Sequence, residues 1–127
     1  MEKFIGPIAF ASLVCSASIL AQEKFSISID FKTIKRCSEI SPEIVLKSVP
    51  PGTEHFEVLL RDLDAPAYRH GGGKVANDGS GTIKVGAVKG SYDGPCPPYT
   101  HTYQYFVTAL DKDGKELAKA DLKGDFP

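Results

Sequence analysis

A proline-rich stretch that runs straight into an alternating segment most constrains how this chain can fold. Three prolines fall within four residues of Gly94-Pro95-Cys96-Pro97-Pro98. Because proline fixes φ and lacks an N–H donor, this stretch fits neither a helix nor a central strand. From His101 to Ala109 every second residue is aromatic or apolar, which predicts a strand with one buried face. A stiff loop therefore places His101 and Tyr103 at the start of a core strand.

A second motif, Asp62-Leu63-Asp64-Ala65-Pro66, closes an earlier strand. Alternation of apolar and polar side chains predicts that strand over 55–61. If it stays regular for one more residue, the Asp62 carboxylate falls on the buried face, where a charge is costly unless it is paired or hydrogen-bonded. Asp62 is therefore a candidate site residue. The plainer interpretation is that both aspartates cap a turn before the proline.

The other predicted elements are short strands separated by glycine- and proline-rich turns. Alternation predicts strands over 25–31, 43–49, 82–88 and 116–122, and an Asp113-Gly114 hairpin turn precedes the last of them. Residues 67–81 contain two glycine-rich clusters and are interpreted as a loop. The sequence shows no amphipathic helix, repeat or linker. It therefore predicts a small, single-domain, all-β sandwich or barrel.

Residues 1–21 have the pattern of a secretory signal peptide. A lysine precedes an apolar stretch that ends at Ala21, and this stretch is short for a membrane span and is broken by Gly6 and Pro7. We therefore expect cleavage after Ala21, a domain over 22–127, a secreted or periplasmic location and no stable membrane span after cleavage. An uncleaved anchor and a lipoprotein modified at Cys15 are the alternatives.

Charge and cysteine content narrow the class of protein further. The formal net charge of −1 argues against nucleic acid as a partner, because a nucleic-acid binder needs a basic face. Cleavage would remove Cys15 and leave Cys37 and Cys96. A pair of cysteines in an exported chain predicts one disulfide, which would brace the proline-rich loop. The alternative is two free, buried thiols.

The chain resembles the phosphatidylethanolamine-binding protein family, also called Raf kinase inhibitor-like proteins. Four segments in the family's order carry the resemblance: Ser41-Pro42-Glu43-Ile44, Pro51-Gly52-Thr53, Asp62-Leu63-Asp64-Ala65-Pro66 (DPDAP in the family) and Gly94-Pro95-Cys96-Pro97-Pro98 with His101-Thr102-Tyr103 (GPCPP…HRY). Leu63 stands where the family has proline, and Thr102 where it has arginine. The family's His-Trp-Val strand after DPDAP is missing. The chain is therefore similar to a short, secreted bacterial branch of the family.

This resemblance implies an antiparallel Greek-key β-sandwich with a small pocket for an anion or phosphoryl head group. By motif it assigns Asp62, Pro95 and His101 to the pocket, with Tyr103 beside them. We expect His70 to replace the histidine of the missing strand and backbone N–H groups near Gly94 to serve the anion. The candidate ligand-binding residues are Asp62, Asp64, His70, Gly94, Pro95, His101 and Tyr103.

These residues predict a binding protein with no enzymatic activity, cofactor or bound metal. A carboxylate beside His101 favours the cationic imidazole, which can bind an anion. The sequence lacks the HExxH spacing of zinc hydrolases and the GxSxG of serine hydrolases. The expected partner is a small anionic or phosphoryl-containing ligand, which could be a phospholipid head group. The alternative is a secreted protein-interaction or inhibitor module that contacts a protein partner through the proline-rich loop and has a vestigial pocket.

Overall fold

Two antiparallel sheets form the protein in the computed structural model, which describes residues 6–7 and 23–127. The smaller sheet has the order β1-β2-β5 and consists of β1 (Ser26–Ser28), β2 (Ile44–Lys47) and β5 (Thr82–Ile83). The larger has the order β4-β3-β6-β7 and consists of β3 (His55–Asp62), β4 (Gly72–Ala76), β6 (His101–Leu110) and β7 (Glu116–Phe126). A 3-10 helix, Phe31–Thr33, follows β1.

This arrangement confirms the predicted antiparallel Greek-key β-sandwich. The predicted signal peptide, residues 1–21, lies outside the described residues apart from Gly6 and Pro7. Within the described part of the chain, no helix has the length and apolar character needed to cross a membrane.

The core lies between the inner faces of the two sheets. β3 and β6 bury every second side chain, as their alternation predicts. Ile44 and Ile83 of the smaller sheet pack in the same buried cluster as Tyr105 and Val107 of β6. Full burial of one such side chain contributes roughly 1.5–3 kcal/mol to folding. The hydroxyl of Tyr105 lies 2.9 Å from that of Tyr92, so this core tyrosine keeps a hydrogen bond.

The prediction for 25–31 is wrong at its end, because β1 stops at Ser28. The Asp30 side chain accepts a hydrogen bond from the Lys32 N–H (3.0 Å) and caps the 3-10 helix instead. Phe31 then leaves the strand path and packs edge-on against Tyr105, with ring centroids 6.0 Å apart. Capping therefore overrides an alternating pattern that would favour a longer strand.

Two predictions between residues 67 and 88 are also wrong. The predicted loop over 67–81 contains β4, and the predicted strand over 82–88 ends at Ile83. Beyond β5 the backbone bonds to Ser41 instead of a neighbouring strand: its carbonyl accepts from Gly86 N–H (2.8 Å) and its hydroxyl from Val88 N–H (3.1 Å). A buried serine thus satisfies backbone donors that a strand would have paired.

The proline-rich loop is fastened to the segment that follows the 3-10 helix. Cys37 and Cys96 form the predicted disulfide, with Cα atoms 4.5 Å apart. The Cys37 N–H donates to the Pro95 carbonyl (2.8 Å), and the Gly94 N–H donates to the Ser38 carbonyl (2.9 Å). One covalent bond and two backbone hydrogen bonds therefore fix the path of this loop.

Candidate functional site

The end of β3 and the start of β6 bring Asp62 and His101 together. The antiparallel register pairs Asp62 with Tyr103, so His101 lies two residues beyond the last paired position. Nδ1 of His101 is 2.6 Å from Oδ2 of Asp62, and the two residues are only 6% and 3% exposed. Because an ionised carboxylate only accepts hydrogen bonds, Nδ1 is the donor. The site is therefore built around a buried carboxylate–imidazole pair.

The Asp62 carboxylate is held charged by its hydrogen bonds. Its second oxygen, Oδ1, accepts from the backbone N–H groups of Asp64 (2.9 Å) and Ala65 (3.1 Å). Burial raises the pKa of Asp62, but the bonds from His101 and the two N–H groups outweigh burial, so the pKa lies below its ordinary value. Asp62 therefore both caps the turn of its motif and pairs with His101.

Nε2 of His101 is the one feature of this pair that remains unsatisfied. Within the described residues it is the only buried side-chain nitrogen or oxygen without a hydrogen-bond partner. Leaving a buried polar group without a hydrogen bond lowers the stability of the fold by about 1–3 kcal/mol. The Tyr99 ring stands edge-on to the imidazole at 4.8 Å and is itself 71% exposed. A ligand that supplies a partner for Nε2 would remove the penalty.

A cavity of about 230 Å³ lies beside this pair. It is walled by Asp62, Ala65, Tyr68, His70, Cys96, Pro97, Pro98, His101 and Tyr103. Sites for drug-sized ligands have volumes of about 300–1,000 Å³, so this cavity suits a smaller group. Its walls come from the Asp62 motif, the proline-rich loop, β6 and the segment that leads into β4.

His70 reaches the cavity, although the chain lacks the family's His-Trp-Val strand. The residue is 3% exposed, and its Nδ1 donates to the Asp93 carbonyl (2.6 Å). Its ring lies between those of Tyr68 and Tyr103, with centroids at 4.5 and 5.4 Å. Burial, together with the nearby Asp62 charge, raises the pKa of Tyr103. The Tyr103 hydroxyl therefore stays protonated at neutral pH and can donate a hydrogen bond.

Asp64, Gly94 and Pro95 lie outside the wall of the cavity. The exposed Asp64 carboxylate accepts from the Thr102 N–H (2.6 Å) and so ties the Asp62 motif to β6. Pro95 is fully buried, and the Gly94 N–H that we expected to serve an anion is already bonded to Ser38. The proline-rich loop contributes its next three residues, 96–98, to the wall instead. The disulfide anchor explains this shift, because it turns Gly94 and Pro95 towards the 37–38 segment.

Carboxylate and imidazole groups that could ligate a metal also meet here. One atom each from Asp62, Asp64 and His101 lie within 4.8 Å of one another. Both Asp62 oxygens and Oδ2 of Asp64 already accept hydrogen bonds within the protein. These bonds account for the cluster without an ion.

Two further residues shape the site and were not predicted from the sequence. The Tyr68 hydroxyl donates to Oδ2 of Asp93 (2.6 Å), which fixes a ring in the cavity wall. The Arg36 guanidinium donates to the Pro97 carbonyl and holds the wall from behind. Both residues lie outside the strands, where periodicity carries no information. The only available signal was the closeness of Tyr68 to His70 in the sequence.

Comparison with known proteins identifies similar sequences and folds. The family model described as "Phosphatidylethanolamine-binding protein" matches residues 18–126. A solved structure of a putative phosphatidylethanolamine-binding protein homolog from Chlamydia trachomatis is 18% identical, with a TM-score of 0.55 over 82% of this chain and 97% of that one. The structure of YbcL from E. coli, titled a new member of the mammalian PEBP family, is 20% identical, with a TM-score of 0.59 over 82% and 98%. None of the curated proteins matches the sequence.

Proposed function

Because this chain belongs to the phosphatidylethanolamine-binding protein family, we propose that it is an exported, non-enzymatic protein that binds a small anion or phosphoryl head group. The ligand occupies the cavity between the Asp62 motif and the proline-rich loop. The observation that carries this proposal is the unpartnered Nε2 of a buried histidine whose other nitrogen is bonded to a carboxylate. The Cys37–Cys96 disulfide supports export, since disulfides persist in oxidising compartments.

The chemistry of binding follows from the charges around the cavity. When His101 is protonated, Nε2–H donates to a ligand oxygen while Asp62 balances the positive charge. The Asp62 carboxylate does not face the anion as a free charge, because three donors already engage its oxygens. Within the described residues, no arginine or lysine lines the cavity. One histidine cation therefore supports weak binding.

The wall of the cavity favours binding over covalent catalysis. Its lining contains neither serine nor threonine within the described residues, and the Cys96 sulfur is held in the disulfide. Nucleophilic catalysis needs an activated hydroxyl, thiol or amine beside the base. The hydroxyls of the described wall belong to Tyr68, which donates to Asp93, and to Tyr103, whose raised pKa keeps it protonated.

A histidine NMR titration tests this proposal directly, because the chain has only three histidines. Phosphate or phosphoethanolamine, added at about pH 6, where an ordinary imidazole is largely cationic, should shift the ring signals of His101 and His70. The signal of His55, which is exposed at the far end of β3, should stay fixed. The His101→Gln variant should lose binding, and His55→Gln should retain it. Unshifted rings at millimolar ligand would refute the proposal.

The affinity should also depend on pH. Since only a cationic imidazole attracts the anion, binding should be at least several-fold weaker at about pH 8, where an ordinary imidazole is neutral, than at about pH 5.5. Isothermal titration with methanesulfonate, an anion whose charge is constant over this range, in buffers matched for ionic strength, measures this change. An affinity that does not vary over this range would mean that His101 does not bind the ligand as a cation.

One observation favours the alternative function, a protein-interaction module. Tyr99 is 71% exposed beside the proline-rich loop, and exposed tyrosines are common at protein interfaces. In that case Tyr99→Ala would abolish contact with a protein partner, while His101→Gln would leave that contact intact. The two functions thus depend on neighbouring but separable side chains.

A further inference from the structure

A basic groove opens next to the cavity and shares two of its walls. The groove has a volume of about 530 Å³, and its lining includes Leu60, Arg61, Pro66, Tyr68, Arg69 and His70. Tyr68 and His70 line both spaces. The cavity and the groove therefore adjoin at Tyr68 and His70.

The two spaces differ in charge. Arg61 and Arg69 are both exposed, and within residues 23–127 neither forms an ion pair. The Arg61 guanidinium lies 5.9 Å from the centre of the Phe106 ring, on the outer face of the larger sheet. The Asp93 carboxylate, which accepts a hydrogen bond from the Tyr68 hydroxyl, does not line the groove. Two arginines without an ion-pair partner among the described residues therefore line the groove, whereas the cavity holds an ionised aspartate.

We infer that the groove is a second anion subsite, so that the ligand carries two anionic groups joined by a short, partly apolar linker. This inference rests on the proposed function, in which the first group binds at His101. The second group, a phosphoryl or carboxylate, is held by Arg61 and Arg69, whose planar guanidinium groups form paired hydrogen bonds with such oxygens. The linker passes Tyr68 and contacts Leu60 and Pro66.

The two subsites together compensate for the weakness of each. An anion at His101 alone meets a single cation beside a carboxylate. An anion in the groove alone meets exposed guanidinium groups that are screened by salt. When one ligand carries both groups, binding of the first raises the effective concentration of the second, so affinity rises without any new contact.

A pair of matched probes tests the inference: butylphosphonate and the butane bisphosphonate with a phosphonate at each end. Both have the same linker, so only the second charge differs. The bisphosphonate should bind about tenfold more tightly, and this advantage should shrink at high salt. In the Arg61→Gln/Arg69→Gln variant the advantage should vanish, while butylphosphonate keeps its affinity within about twofold. The shift of the His101 ring NMR signal on addition of each probe reports binding in the cavity separately.

Lys119→Gln is the matched control. The Lys119 ammonium lies 5.3 Å from the centre of the same Phe106 ring as Arg61 but does not line the groove, so its loss should leave the advantage intact. Equal affinities for the two probes, or an advantage that survives in the double arginine variant, would overturn the inference alone. If neither probe shifts His101, the proposed function fails and the inference fails with it.

Discussion

At the scale of single residues, Asp62 is a buried charge whose desolvation cost the fold must offset. It is 3% exposed, yet hydrogen bonds lower its pKa below the ordinary value of 3.8. The donors are His101 and the backbone N–H groups of Asp64 and Ala65 in the same turn. The turn forms at this point because the carboxylate satisfies backbone N–H groups that have no strand partner there. Site and turn therefore depend on the same side chain.

Asp62→Asn should destabilise the protein in a pH-dependent way. Because the folded-state pKa lies below the unfolded value, the charge stabilises the fold above an ordinary pKa of 3.8 and stops doing so as pH falls through the folded-state value. We expect a loss of roughly 3 kcal/mol near neutral pH and a smaller difference in strong acid. Urea unfolding of both proteins, near neutral pH and in strong acid, measures this difference in the free energy of unfolding. Asp113→Asn, in the exposed hairpin turn, is the control, and a loss that does not vary with pH would contradict the assignment.

At the scale of elements, β4 shows why a run of glycines can be a strand. A Cβ atom on Gly72 would collide with the Val58 carbonyl, and one on Gly73 with the Lys89 carbonyl. β4 is thus held so closely between β3 and the 88–91 segment that only glycine fits. These glycines suggested a loop in the sequence, because the same residue type serves turns and close backbone approach alike.

Gly72→Ala should therefore weaken β4 strongly. The new methyl group has to displace the backbone of the neighbouring strand, which we expect to cost about 3 kcal/mol. The matched control is Gly79→Ala, which has open space around it and only a φ of +76° to strain, with an expected cost of about 1 kcal/mol. Thermal unfolding of both variants measures the difference. Equal losses would mean that β4 can move away from β3.

Strands with one buried face were predictable, and segments fixed by side-chain contacts were not. β3 and β6 follow from alternation alone, and the same alternation places Asp62 on the buried face. The lengths of β1 and β5 depend on a cap at Asp30 and on the bonds to Ser41. The local pattern reveals neither contact. Ser41 lies far from β5 in sequence, and the Asp30 cap competes with continuation of the strand.

At the scale of the whole molecule, the disulfide joins parts of the chain that are 59 residues apart. Cys37→Ser/Cys96→Ser should lower the free energy of unfolding by roughly 4 kcal/mol on the loop-entropy estimate, a large share of the 5–15 kcal/mol typical of domains. Urea unfolding of the wild type and the double variant, each with and without reductant, measures it. Reductant should destabilise only the wild type. A double variant as stable as the oxidised wild type would show that the backbone bonds alone hold the loop.

The site is also a property of the whole molecule, which limits how much of it the sequence could predict. Asp62 and His101 were predictable because each belongs to a motif at the end of a regular strand. The Gly94 N–H was expected to be free but is bonded to Ser38, a pairing set by the disulfide anchor. Tyr68 and Arg69 lie outside every predicted motif, and Arg61 directly precedes the Asp62 motif. Only the fold shows that these three residues line one groove.

The pairing of β3 with β6 sets the order in which a folding chain forms its sheets and its ligand site. Their partners lie 41 to 55 residues apart in sequence, whereas β6 and β7 meet through a short hairpin. Closing a long loop lowers the chain entropy before any stabilising contact forms. Domains dominated by such non-local strand pairs therefore fold in milliseconds to seconds, not microseconds. The β6–β7 hairpin can form early, but Asp62 meets His101 only in the slow step. Recovery of ligand binding after dilution from urea should therefore lag behind the first β-sheet signal, and the ligand cannot speed up a step that must precede its own site.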